Sequence, residues 1–288
     1  MLRRVLRWLG IALGALLGLV VMALGVIYLL SEHTLNRRYP LTQVAIVVPN
    51  DAASIAEGQR LATIAGCYAS CHGPRGEGTV LFDEPIIGRL IAPNLSASVR
   101  AHSDAELANI IRHGLRPDGR SVFVMPAEAF TYLSDADLGR ILAFLHSLPA
   151  SSGPGPGNSL GPLGRLGVLT GQFQTAAQMI AATVPLPPAA SPDGVTGRYI
   201  AQTVCVHWHA TDLRGRTTPA YVSPNLQIVA AYSAAAFTRL LRTGVPVGGQ
   251  KLGMMREEAQ LNLRLLTDAE IASLYSYLHT LPDARLPP

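Results

Sequence analysis

Residues 66–73 read GCYASCHG: two cysteines, Cys67 and Cys71, with three residues between them, and His72 directly after the second. A related string, CVHWHA at residues 205–210, keeps Cys205 and His209 but has Trp208 where the second cysteine would stand. The surroundings repeat as well. EGQRLA, APNL, IIRHG, VMP, LSDADL and AFLHSLP accompany the first string between residues 57 and 149; GRYIA, SPNL, LLRTG, GMM, LTDAEI and SYLHTLP accompany the second, in the same order, between 197 and 282. Ordered self-similarity of this kind implies two copies of one small folding unit.

The Cys-His pairing at 71–72 has the form of a c-type haem attachment site with one residue too many before it. Such a site needs two thiols to add across the porphyrin vinyl groups and an imidazole beside the second thiol to reach the iron. The stretch Tyr68-Ala69-Ser70 contains no proline to oppose a bulge, so the loop can absorb the extra residue. A Cys67–Cys71 disulfide remains open in an oxidising compartment, but it leaves His72 and the repeat unexplained. Half of a zinc site is disfavoured because a second cysteine pair is missing. A sixth iron ligand is expected downstream, and Met125 in VMPAEAF stands where a loop could fold over the other haem face. The Pro93 carbonyl is a candidate acceptor for the imidazole Nδ1–H, a contact that fixes the ring and tunes the iron.

Together CYASCHG, APNL, MPAEAF and LSDADLGRILAFLHSLP resemble a class I cytochrome c domain. The resemblance implies thioether bonds from Cys67 and Cys71 to haem c, iron ligation by His72 and Met125, and orientation of His72 by Pro93. The tandem arrangement behind an apolar N-terminus is similar to membrane-anchored dihaem cytochrome c subunits, which serve periplasmic dehydrogenases or oxidases. In the second copy the same roles fall to Cys205, His209, Pro224 and Met255, the last preferred over Met254. Two readings compete there. Either a haem is tethered by Cys205 alone between His209 and Met255, or the haem is lost and Trp208 fills part of the vacated pocket.

From Trp8 to Leu30 there is no charged residue, which is long enough to cross a hydrocarbon layer of about 30 Å. No small-residue cleavage site follows, so an uncleaved anchor is preferred to a signal peptide. Arg3, Arg4 and Arg7 precede the span and put the N-terminus in the cytoplasm and the remainder on the periplasmic side of the inner membrane. The formal charge of +4 is carried entirely by residues 1–38, which hold five arginines and one glutamate; the rest is neutral, and no nucleic-acid partner is implied.

The expected fold is all-α: anchor and flank at 1–38, a cytochrome c-like domain at 39–150, a linker with a short helix at 151–190, and a second cytochrome c-like domain at 191–288. SSGPGPGNSLGPLG (151–164) should resist regular structure, and the helix should come from RLGVLTGQFQTAAQMIAATV, packed on the first domain. Ser54-x-x-Glu57, Ser103-x-x-Glu106 and Thr267-x-x-Glu270 read as capping boxes, Ile271, Leu274, Tyr275 and Leu278 as one buried helix face, and Pro149 and Pro282 as helix stops. His207 reads as a surface histidine, and His102, His113, His146 and His279 as structural. The expected function is electron transfer through covalent haem rather than enzymatic turnover. The alternatives are a docking subunit with one working haem, or a dihaem peroxidase-like enzyme if the second iron has an open position.

Overall fold

The computed structural model describes residues 1–42, 45–155, 157–218 and 221–281. Helix α1 (Leu2–Leu35) carries the apolar N-terminus and is exposed along the Trp8–Leu30 stretch. The first repeat supplies α2 (Ala52–Ile64), α3 (Leu95–Ala101), α4 (Asp104–His113), the single turn α5 (Ala127–Phe130) and α6 (Asp135–Ser147). Two short helices follow, α7 (Pro162–Leu169) and α8 (Ala176–Ala181). The second repeat supplies α9 (Val195–Ile200), α10 (Val206–His209), α11 (Ala234–Thr243), α12 (Met254–Leu261) and α13 (Asp268–His279).

Equivalent elements close each half. Helix α2 crosses α6 at Gly58, where a Cβ would stand 1.9 Å from the Arg140 carbonyl oxygen; α9 crosses α13 at Gly197, where it would stand 2.0 Å from that of Ser273. Only glycine permits such approach of backbones. Helices α4 and α11 both end in a left-handed glycine, Gly114 and Gly244. The buried side chains form one continuous core running through both halves, from Ile64, Leu142 and Phe144 to Ile200, Leu274 and Leu278.

Polar straps join the halves at equivalent positions of α2 and α9. Arg60 reaches from α2 to the Glu270 carboxylate, at 2.8 and 2.9 Å, and to the Leu265 carbonyl at 3.2 Å. Tyr199 reaches from α9 in the opposite sense, donating to Asp137 at 2.7 Å and accepting from the Ser134 amide at 3.2 Å. Each strap ends on the first turn of the other half's terminal helix.

Several expectations need correction. The fold is mostly helical but not all-α: β1 (Thr79–Glu84), β2 (Gly88–Ala92) and β3 (Ser159–Leu160) form an antiparallel sheet in that order, and β4 (Arg216–Thr217) pairs with β5 (Val222–Ser223). A register shift between Val80 and Phe82 breaks the alternation that would have marked β1. The stretch 151–164 is only partly irregular, since it contains β3 and the start of α7. Capping boxes form at Ser103 and Thr267, but α2 starts three residues earlier than expected, capped by Asp51 accepting from the Ser54 amide at 2.9 Å. Tyr277 rather than Tyr275 completes the fully buried face of α13. Pro149 follows the end of α6, whereas Pro282 lies outside the described residues. Helix α8 does pack on the first half, its Ala176 amide donating to the Val122 carbonyl at 3.0 Å.

Candidate haem-binding sites

The first site is built on the turn after α2. Gly66 in the left-handed region ends the helix, and the chain then forms a wide turn in which the Cys71 amide donates to the Gly66 carbonyl and the His72 amide to that of Cys67, at 3.1 and 3.2 Å. The extra residue is absorbed locally: Tyr68 is extended and Ala69 is left-handed, with φ of 68°. That conformation costs an L-residue about 1–2 kcal/mol. The Tyr68 ring meets Phe144 of α6 edge-on at 4.8 Å, which holds the bulge against the core. Cys67 and Cys71 are free thiols. Burial pushes the Cys67 thiol up to about 12, assisted by Cys71, so it stays protonated.

His72 follows at the end of the turn, and its Nδ1 lies 2.7 Å from the Pro93 carbonyl oxygen. A carbonyl can only accept, so Nδ1 carries the hydrogen and Nε2 keeps its lone pair. Burial lowers the His72 pKa, with the Pro93 bond opposing, which favours the neutral ligand form. The Pro93 carbonyl is itself placed by Asn94, which caps α3 through the Ala97 amide and is tied to Ser151.

Met125 packs against the core from the loop before α5. The residue before it, Val124, has φ of 68°. A β-branched residue there is a strained outlier, with a cost of roughly 1–3 kcal/mol, of the kind that clusters where a loop is held in a functional conformation. Neither Val124 nor Ala69 is a glycine, and the sequence carries no signal for either.

The second site follows the same plan with a different turn. Residues 195–209 run as one continuous helical path through Cys205, without the left-handed residue of the first site. His209 is buried, and its Nδ1 lies 2.9 Å from the Pro224 carbonyl oxygen. Asn225 caps the following turn as Asn94 does in the first half. Cys205 is a free thiol, pushed up to about 12 by burial. Met255 packs against the core while Met254, beside it, is 40% exposed. Trp208 meets Tyr221 edge-on at 5.3 Å and tilts against His207 at 5.1 Å. The expectation of a surface histidine at 207 is corrected: the ring is half-buried, its Nδ1 is covered without a partner among the described residues, and burial with Arg216 and His209 pushes it down to about 3.

Further contacts cross between the two halves. Ser70 in the first cysteine turn bonds Asn262 at 2.9 Å, and Asn262, fully buried after α12, bonds Glu258 at 2.7 Å. Glu128 in α5 is 2% exposed, and Arg216 of the second half is its nearby cation. Sequence reasoning missed Glu128, Asn262 and Arg60 because their importance lies in contacts across the repeat. His146 is structural as expected, its Nε2 lying 2.6 Å from Asp104.

Residues 55–149 match the family model for cytochrome c. This segment is a cytochrome c domain. A curated relative is the fructose dehydrogenase cytochrome subunit of Gluconobacter japonicus, 23% identical over 257 residues, covering 80% of this chain and 53% of the relative. The chain thus spans about half the length of the relative it matches. The residues of the cytochrome c domain fit haem c: two free thiols, an imidazole whose Nδ1 contact leaves the lone pair on Nε2, and a thioether packed on the core. His72, Cys67 and Cys71 come together in one turn, and Pro93 is brought to them by the turn before α3.

Proposed function

We propose that this chain is a dihaem, membrane-anchored electron-transfer subunit that takes electrons from a dehydrogenase and passes them to an oxidase or quinone. The observation that carries the reading is the matched pair His72–Pro93 and His209–Pro224, each with a free cysteine within one turn before it in sequence, while Met125 and Met255 both pack on the shared core. That match favours haem retention in the second half over a pocket filled by Trp208. Haem c held at the two sites would supply reversible one-electron Fe(II)/Fe(III) chemistry.

The chain's own residues would do the rest. Cys67 and Cys71 would anchor the first haem by two thioethers and Cys205 the second by one. His72 and His209 would be fixed as neutral ligands by their proline carbonyls. Met125 and Met255 would fill the sixth positions, which suits outer-sphere transfer rather than substrate chemistry. The proposed domains are the two repeat copies with their flanks, 39–150 and 191–288, joined by 151–190. A donor of the dehydrogenase class is supported by the relative's name.

Helix α1 supports single-pass anchoring in the cytoplasmic membrane, and the arginines before the span support a periplasmic location for both haem sites. Carbon monoxide difference spectra on the reduced, membrane-extracted protein test this reading against a peroxidase-like enzyme. Two saturated irons predict no carbon monoxide spectrum and full reduction by a mild donor; stoichiometric binding at one haem would favour the enzyme.

A further inference from the structure

Helix α7 is apolar on both its faces. Gly164 and Gly167 close on the Ile87 carbonyl and the Phe173 ring and Val168 is buried beside them in sequence, whereas Leu163, Leu166 and Leu169, at 53, 39 and 36% exposure, lie on the opposite side with Pro162 and Thr170. The exposed face has no charge. The helix's single charged residue, Arg165, is turned onto α1: its guanidinium lies 4.4 Å above the Tyr28 ring, donates to Ser31 at 3.0 Å and meets Glu32 at 2.7 Å.

Those three partners bracket Leu30, the last residue of the apolar stretch. Trp8 and Tyr28 lie about 30 Å apart along an α-helix, the thickness of a hydrocarbon layer, and aromatic residues favour its two boundaries. Arg165 therefore fixes α7 at the depth where α1 leaves the bilayer. Ile86, 61% exposed, extends the patch, because the amide of Leu163 donates to its carbonyl at 3.1 Å.

We infer that α7 and the Ile86 turn form a second membrane contact, lying in the headgroup and acyl boundary of the bilayer that α1 crosses. The inference rests on the membrane-anchored reading of α1. A segment with an exposed apolar face clamped beside a span is already at the interface, and its leucines gain by entering it. The contact would restrict how the haem-bearing halves tilt above the membrane, which a single helix leaving the bilayer cannot do.

The test uses the full-length, haem-matured chain in phosphatidylcholine–phosphatidylglycerol vesicles containing a phosphatidylcholine with a photoreactive diazirine tail. After illumination and trypsin digestion, lipid-modified peptides are read by mass spectrometry. The span peptide 8–37 reports the anchor; peptides 141–165 and 166–198 report α7. Lipid on the span peptide and on Leu163, Leu166 or Leu169 is the expected result, and Leu163→Asp combined with Leu166→Asp removes the α7 adducts while leaving those of the span. A labelled span with unlabelled α7 overturns the inference and leaves the anchor standing, and directs attention to a protein partner for this face. An unlabelled span overturns both.

Discussion

Replacing Arg60 by alanine is expected to loosen the joint between the two halves. The guanidinium makes five bonds: two to Glu57 at 2.7 and 2.9 Å, two to Glu270 at 2.8 and 2.9 Å, and one to the Leu265 carbonyl. Side-chain exposures of 23% for Arg60 and 20% for Glu270 place the pair between a surface bridge and a buried one. A hydrogen bond to a charged group contributes roughly 1.5–3 kcal/mol, while a fully exposed pair contributes up to about 1. The Arg60→Ala loss should therefore fall near 2–3 kcal/mol, about 4–12 °C in Tm for a protein of this size. Circular dichroism melts of Arg60→Ala, Glu270→Gln and the double variant give the coupling directly, expected at about 1–2 kcal/mol. Burial alone would raise the Glu270 pKa, but the bonds from Arg60 and from the Thr267 amide hold it below the usual carboxylate value. A lowered folded-state pKa means the contribution is present above the unfolded value and fades as pH falls through the folded one. Additive losses within about 0.5 kcal/mol at neutral pH would refute the strap.

Met255→Ala is expected to abolish the methionine–iron charge-transfer band of the second haem and open that iron to carbon monoxide, whereas Met254→Ala leaves both unchanged; optical spectra of the oxidised and reduced forms decide. Glu128 has its carboxyl raised by burial, with Arg216 opposing, so the folded state holds the proton longer than the unfolded one. Stability should accordingly decline as pH rises from the ordinary carboxylate range through the raised value, and Glu128→Gln should flatten that decline in melts at acidic and neutral pH. Ala69→Val should lower Tm by several degrees, since a β-branched residue tolerates a φ of 68° poorly, while Ala69→Gly should not, and the haem content of both should match the parent.

The repeat made much of the architecture legible in advance. Gly58 and Gly197, the asparagines after Pro93 and Pro224, and the terminal helices occupy matching places because each copy must solve the same packing problem. The His72–Pro93 and His209–Pro224 contacts could be read because a ligating imidazole demands an acceptor for its Nδ1–H. Other features resisted reading for physical reasons. In DAAS, residues 51–54, two cap residues stand three apart, and only tertiary placement selects Asp51 over Ser54. Strand β3 is two residues long and owes its existence to β2, with Asn158 donating no periodic signal but accepting from the Ile91 amide at 2.7 Å. The bulge at Ala69 and the strain at Val124 are properties of backbone dihedrals that neither residue type announces.

Covalent haem on the first cysteine turn is the claim on which the functional account depends. Mass spectrometry of tryptic peptides 61–75 and 199–214, from protein produced in a host with cytochrome c maturation, measures it directly. The account predicts both peptides heavier by one haem, the first joined through Cys67 and Cys71 and the second through Cys205. A haem on 61–75 alone would remove the second site and leave a single-haem carrier. Peptide 61–75 recovered without haem would contradict the account.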